Sequence, residues 1–514
     1  MTPQPALDAS SLWRLIETRA EATPHARFAV DDADRTLDFA GYRDAALRGA
    51  AGLAGLGLGA GDVVSWQLPT SLEALVLCAA LARLGVVQNP ILPIHREREV
   101  DFVVRQAGAC RLAVPRVLRG FDHAAMAEAL AAANPALSPL VIDGALPEAD
   151  PAGLAPFEAA DPDASVRWLF YTSGTTAEPK GARHSDASLM AVGRALHDRL
   201  GLAADDRIAL VFPFTHVGGI GWLLAGLLSG CAQIVVPAFG PEAIAVLARH
   251  GVTQGTAGTA FHQAYLSAQR ERGDEPIFPR IRSFPGGGAP KPPTLHREMK
   301  QAFDGAGIVS GYGLTECPIA TMGSPADPNE RLAGSEGRAT RGVEIRIVGG
   351  DGLPAAPGVE GEIRLRGPQL FHGYLDAALD AAAFDADGFL RTGDLGHLSE
   401  DGYLVVTGRL KDVIIRKGEN ISAKEIEDLL HEHPKVVEAA VVGLPDPARG
   451  ERACAVVVCR DAAAPLSFEE MAAFLRERKL MVQKIPEQLE ILEALPRNPT
   501  GKVLKQELRR VFGD

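Results

Sequence analysis

The chain has 514 residues, 46% of them hydrophobic and 23% charged, with a formal net charge of −13. That length exceeds a single ordinary core, so two or more domains are expected. The acidic balance argues against a general nucleic-acid binder, which is usually basic, and leaves room for a local cationic site. The opening stretch MTPQPALDASSLWRL lacks a basic start followed by an apolar run, so no secretory signal is read. Cysteines fall at 78, 110, 231, 317, 454 and 459 with no C-x-x-C pair. Scattered thiols of this kind fit a reducing cytoplasm and a packing role, with Cys454 and Cys459 on opposite faces of one strand.

In chain order, GDVVSWQL (61–68) reads as a strand and SLEALVLCAALARLG (71–85) as a helix stopping at Gly85. Residues 121–160 are Ala/Pro-rich and are expected at the surface. RIALVFPF (207–214) is a buried strand, and EAIAVLARHG (242–251) a helix with Gly251 just past its end. The stretch from Val217 to Pro241 carries no formal charge over 25 residues, long enough to span a bilayer. Its glycines and the β-branched run IVVP point instead to a buried helix, a turn and a buried strand. This alternation argues for α/β layers with largely parallel sheets. After about residue 340 the texture changes. GVEIRIVG and GEIRLRG alternate apolar and charged residues, as half-exposed strands of a smaller β-rich subdomain do. Next, Ser422 and Glu425 have capping-box spacing, with Ile426, Leu429 and Leu430 on one helical face. KVVEAAVVG then reads as a strand and SFEEMAAFLRERK as another capped helix. The expected fold is a large α/β N-terminal domain over 1–408, a junction at 409–412, and a small α+β domain over 413–514.

The stretch YTSGTTAEPKG (171–181) sets small hydroxyl residues around Gly174 and closes on Pro179, Lys180 and Gly181. It looks built for phosphate, yet it lacks the G-x-x-x-x-G-K-[ST] spacing, because Lys180 precedes Gly181 and no Ser or Thr follows directly. Further along come FPFTHVGG (212–219), GGGAP (286–290), GYGLTE (311–316), RTGD (391–394), GRLKD (408–412) and PRNPTGKVLK (496–505). A Gly-rich turn alone is a weak signal. In this order, over nearly the whole chain, the set is specific. The chain resembles the adenylate-forming superfamily of acyl-CoA synthetases, peptide-synthetase adenylation domains and firefly-type luciferases.

The resemblance implies that Thr172, Ser173, Gly174, Thr175, Thr176 and Lys180 take the β- and γ-phosphates of ATP as pyrophosphate departs. Lys502 matches the lysine that bridges carboxylate and α-phosphate, where a cation offsets developing charge. Glu316 matches a Mg²⁺-associated glutamate, a hard oxygen ligand for a hard cation. Thr315 matches a phosphate-contacting hydroxyl. Gly287, Gly288, Ala289 and Pro290 would bring backbone close to adenine, and Gly311, Tyr312 and Gly313 follow, with Tyr312 on the purine face. Asp394 would accept from the ribose hydroxyls with Arg409 assisting. Lys411 stands at the hinge of a mobile C-terminal domain. One orientation delivers Lys502; the other presents Lys417, Gly418 and Glu419 to an incoming thiol. Lys417 departs from the common pattern, which has Gly there.

His216 matches an aromatic or His position beside the acyl carboxylate, and Gly218, Gly219, Trp222 and Gly258 are expected around it. Small residues recur there, with Gly221, Ala257, Gly286, Gly287 and Ala320, and room for a medium-length or alicyclic group is expected. FPFTH has no Asp to pair with a substrate ammonium, whose unpaired burial is expensive, so an acid without an α-amino group is expected. The stretch VVQNPILPIHREREVDFVVRQ is similar to medium-chain and cyclohexanecarboxylate-type CoA ligases, with steroid-derived and aromatic acids left open. The chain ends twelve residues after Lys502, with no carrier domain following, so CoA is the expected acceptor. A stand-alone ligase loading a separate carrier protein is the alternative, and a non-catalytic nucleotide sensor a third reading. ATP, Mg²⁺ and CoA are the expected cofactors and co-substrates, with a small carboxylic acid and no nucleic acid as partner; a homodimer is left open.

Overall fold

The computed structural model describes residue 7 and residues 9–172, 179–289, 291–416, 419–447, 449–498 and 501–513, with the backbone alone at 419–420. Two largely parallel sheets organise the first half. One runs Arg207–Leu210, Ala232–Val235, Arg27–Asp31 and Thr36–Asp38, parallel except for the last strand. The other runs Gly181–Ser185, Val166–Tyr171, Val87–Pro90, Val63–Trp66, Arg111–Val114 and Ser138–Val141, parallel except for Gly181–Ser185. Strands such as Arg207–Leu210 are apolar over consecutive residues because both faces are covered. The helix Leu72–Leu84 starts where the Ser71 hydroxyl accepts from Ala74 N, and stops at Gly85 with φ 72°. It shares one core cluster with Phe39–Gly55, Asp186–Leu200 and Val217–Ser229.

The uncharged stretch folds as read: the helix Val217–Ser229, a left-handed turn at Gly230, and the strand Ala232–Val235. Thirteen residues are too short for a bilayer. Among the described residues no helix is long and apolar enough to cross a membrane. The buried Arg19 donates to the carbonyls of Leu227 and Leu228, both at 2.7 Å, satisfying the end of that helix.

A third sheet, Phe284–Gly287, Ile308–Leu314, Cys317–Met322 and Arg338–Ala339, joins the first through bridges from Ile208 to Gln254 and from Gln254 to Ser283. The alternating segments form a four-stranded antiparallel sheet, Glu344–Val348, Gly361–Arg366, Leu390–Leu398 and Leu404–Arg409. A short turn, Leu410–Asp412, leads to the last sheet, ordered Glu419–Ile421, Ile414–Arg416, Gly450–Cys459 and Val436–Asp446, with Gln488–Ile491 pairing parallel to Gly450–Cys459, and with the helices Ala423–Leu430 and Phe468–Glu477. Cys454 and Cys459 pack into different apolar clusters, as opposite faces of one strand require.

Two local expectations change. Residues 121–160 are more than surface. The helix His123–Ala133 buries Met126, Ala127 and Leu130, and Ser138–Val141 forms a sheet edge. The capping box at Ser422 is only half formed. Its hydroxyl accepts from Glu425 N at 3.4 Å, but the Glu425 carboxylate reaches Lys484 at 2.6 Å, a distant cation that outcompetes the neighbouring amide. Ser422 also donates to Thr407 O at 2.8 Å, tying this helix start to the preceding sheet.

Candidate active site

Asp394 faces Arg409 across adjacent antiparallel strands. Arg409 Nε lies 2.8 Å from Asp394 Oδ1, and the Tyr312 hydroxyl donates to Asp394 Oδ2 at 2.7 Å. The carboxylate is thus held at both oxygens while buried, and each oxygen keeps lone-pair capacity for a further donor. These three residues line a cavity of about 830 Å³ together with Gly288, Ala289, Gly311, Gly313, Lys411 and Lys502.

Lys502 comes from the last hundred residues and reaches this cavity on a tight loop. Lys502 N donates to Asn498 Oδ1, and Asn498 N to Lys502 O, both at 2.9 Å. Gly501, with φ 85°, sits against Ala260 and Phe261 at the start of the helix Thr259–Arg272. Burial pulls the Lys502 ammonium down to about 8, and Arg409 adds to the effect while Asp394 opposes it.

Glu316 lies on the turn between the strands Ile308–Leu314 and Cys317–Met322. Its carbonyl accepts from Phe371 N at 2.8 Å, and its Oε1 from the Tyr374 hydroxyl at 2.6 Å. Next to it, the Thr315 carbonyl meets His184 Nε2 at 2.8 Å. Among the described residues Oε2 of Glu316 has no protein donor, and no group of three or more His, Cys, Asp or Glu side chains could hold a metal. A single carboxylate with a spare oxygen suits Mg²⁺ shared with a triphosphate, since Mg²⁺ is commonly bound by one or two carboxylates plus phosphates.

The neck of the 171–181 stretch is closed by Thr172 N donating to Lys180 O at 3.0 Å, and Lys180 Nζ lies 5.3 Å from the Tyr374 ring centre. Ser173, Gly174, Thr175 and Thr176 lie outside the described residues, as do Pro290, Lys417 and Gly418; Glu419 is described by its backbone alone.

At the expected acyl wall, several of the small residues are accounted for by packing. Gly219 does not border open space: a Cβ there would lie 2.5 Å from the Phe214 carbonyl oxygen. At Gly221 it would meet Val192 Cγ1 at 2.8 Å, and Trp222 belongs to the main core cluster. These small residues allow close packing of the helix Val217–Ser229, not room. The same holds in the GGG turn. Gly286 and Gly287 approach the carbonyls of Ala257 and Gly311, so protein packing already demands them, whereas Gly288 needs its φ of 78° and has space around it. Gly258 precedes the helix Thr259–Arg272 as its N-cap, and Ala320 is fully buried with the subdomain core. His216 caps Val217–Ser229, its Nδ1 accepting from Gly218 N at 3.1 Å, and burial pushes it down to about 4, so it is neutral near pH 7.

Sequence reasoning missed Tyr374, His184 and Lys291. Lys291 is buried, donates to Leu332 O, and is lowered to about 8 by burial despite Glu336. Its position directly after GGGAP was the available signal. Nothing local marks Tyr374 or His184, whose contacts with Glu316 and Thr315 join residues distant in sequence.

Asp394, held by Tyr312 and Arg409, thus shares one cavity with the half-buried Lys502, as the motif order leads one to expect. Residues 16–375 match the family described as AMP-binding enzyme, and residues 425–502 match the AMP-binding enzyme C-terminal domain. The chain belongs to this family, within the adenylate-forming superfamily, and is an adenylate-forming enzyme. It is 37% identical to a salicyl-AMP ligase / salicyl-S-ArCP synthetase of Mycobacterium tuberculosis, over 95% of this chain and 88% of that protein. It is 32% identical to the medium-chain fatty-acid–CoA ligase of Escherichia coli, over 98% of this chain and 90% of the relative. Among solved structures it is similar to ATP-bound MatB from Rhodopseudomonas palustris, with TM-score 0.87 and 30% identity over 99% of each chain.

Proposed function

We propose that this protein is an ATP-dependent carboxylic acid–CoA ligase acting on a medium-chain or alicyclic acid without an α-amino group. The observation that carries the reading is the shared cavity of Asp394, Arg409 and Lys502. In the first step a carboxylate oxygen attacks the α-phosphorus of ATP, the bond to the β-phosphate oxygen breaks, and pyrophosphate leaves. Lys502 offsets the repulsion between the two anions and the charge building at phosphorus. Asp394, held by Tyr312 and Arg409, accepts from the ribose hydroxyls and so fixes the nucleotide. Glu316 would hold Mg²⁺, which would supply charge neutralisation for the departing pyrophosphate. In the second step the CoA thiolate attacks the acyl carbon, AMP leaves, and the thiol proton passes to solvent.

Since the glycines at 219 and 221 are taken up by packing, support for the acyl size rests on kinship with the Escherichia coli medium-chain ligase. A second reading, transfer to a carrier protein after activating an aryl acid, is favoured by the 37% identity to the salicyl-AMP ligase. Acid-dependent pyrophosphate release across aliphatic, alicyclic and aryl acids tests activation. AMP release with CoA, against AMP release with a phosphopantetheinylated carrier, then separates the acceptors. No pyrophosphate with any acid would sink both readings.

Lys411 lies in the short turn Leu410–Asp412 between the last two sheets. Rotation about it would withdraw Lys502 and open the thiol path. Lys411→Pro fixes φ and removes the N–H, so adenylation should survive while thioester formation falls. Single-turnover kinetics reads both steps; native rates in both would place the hinge elsewhere.

A further inference from the structure

The segment after Gly367 holds Glu316 at two points. Phe371 N donates to the Glu316 carbonyl at 2.8 Å, and the Tyr374 hydroxyl to its Oε1 at 2.6 Å. Tyr374 and Glu316 are both buried. The same segment is laced to the strand that leaves the 171–181 stretch. His372 N donates to Arg183 O at 2.8 Å, Arg183 N to Gly373 O at 3.1 Å, and Leu375 N to Gly181 O at 2.8 Å. Tyr374 itself is fixed from below by its N–H on Asp380 Oδ1 at 2.8 Å, and its ring packs edge-on against Phe371. Above that ring stands Lys180, 5.3 Å from its centre.

We propose that Tyr374 is a positioning residue for the metal–nucleotide complex. Its hydroxyl occupies Oε1 of Glu316 and reserves Oε2 for the cation, while its backbone keeps that carboxylate in register with the strand closing the phosphate stretch. The proposal rests on the ligase reading for the identity of the nucleotide. The physical argument is directional. A carboxylate free to rotate presents either oxygen, whereas one with a buried donor at 2.6 Å on Oε1 presents one. Partners that orient a metal ligand commonly set metal affinity by about 10- to 100-fold. Tyr374 touches neither metal nor substrate in this arrangement, so its effect passes through Glu316.

The test is ATP binding by calorimetry with and without Mg²⁺, in wild type, Tyr374→Phe, Glu316→Gln and the double variant. Phe keeps the ring packing and removes the hydroxyl. The expected result is a loss of roughly 10-fold in the Mg²⁺-dependent gain in ATP affinity for Tyr374→Phe, with metal-free affinity and thermal midpoint close to wild type. The double variant should then lose no more than Glu316→Gln alone, because both substitutions break one linkage. A Tyr374→Phe protein with the full Mg²⁺-dependent gain overturns the proposal, and so do losses that add in the double variant. A general packing role is also excluded by this design, since it would lower metal-free affinity and the midpoint. If wild type couples ATP to Mg²⁺ but releases no pyrophosphate with any acid, the ligase reading fails, while the loss in Tyr374→Phe still upholds the positioning role.

Discussion

Lys502→Ala is expected to slow acyl-adenylate formation by roughly 100- to 1000-fold, the range seen when one preorganised electrostatic group is removed from a transition state. The effect should be confined to the first step. Supplied acyl-adenylate and CoA should still yield thioester, because no charge then builds at phosphorus where the ammonium stands. Pyrophosphate release and thioester formation, measured separately, decide this; equal losses in both would contradict the assignment. The pH dependence has a definite sign. Burial lowers Lys502 to about 8 in the free protein, with Arg409 contributing and Asp394 opposing. The cation is therefore present below pH 8 and is lost as pH rises through that value. kcat/KM for adenylation, which reports the free enzyme, should be level on the acid side of this pKa and fall above it. The bound triphosphate favours the cation, so the alkaline limb of kcat should lie higher than that of kcat/KM. An alkaline limb only in the ordinary lysine range would mean that the ammonium is solvated in solution. In Lys502→Ala this limb should disappear.

Gly219→Ala should be costly in a different currency. The added methyl would lie 2.5 Å from the Phe214 carbonyl oxygen and 2.7 Å from its Cα, backbone atoms that cannot rotate aside. Overpacking of this kind costs about 1–3 kcal/mol, and an immovable neighbour places it toward the upper end. Urea unfolding should show the midpoint falling with little change in slope. Activity should fall alike for short and long acids, following the folded fraction. Were the variant as stable as wild type and selectively poor with long acids, Gly219 would face the substrate after all.

Much of the architecture was legible because its signals are local. The Ser71 cap and Gly85 stop bound one helix within a few residues, and the glycines around Val217–Ser229 separate a buried helix from a membrane span. The ordered motifs from 171 to 505 likewise mark the adenylate-forming family, since each is a short run legible without knowledge of what lies opposite it. Other features depend on what lies opposite. A glycine reads the same whether it leaves space for a ligand or for a neighbouring carbonyl, so only the fold shows that Gly219 and Gly287 face backbone. Glu425 has the spacing of a capping residue, but tertiary packing offers it Lys484 instead, 59 positions away. Tyr374 carries no motif; it becomes notable only when pairing with the strand Gly181–Ser185 places its hydroxyl on Glu316, 58 positions away. The lowered proton affinity of Lys502 belongs to the same class, because it follows from burial beside Arg409, a residue 93 positions earlier in the chain. Local sequence sets dihedral preference and periodicity, whereas burial, close approach and charge environment are set by segments that the chain brings together only on folding.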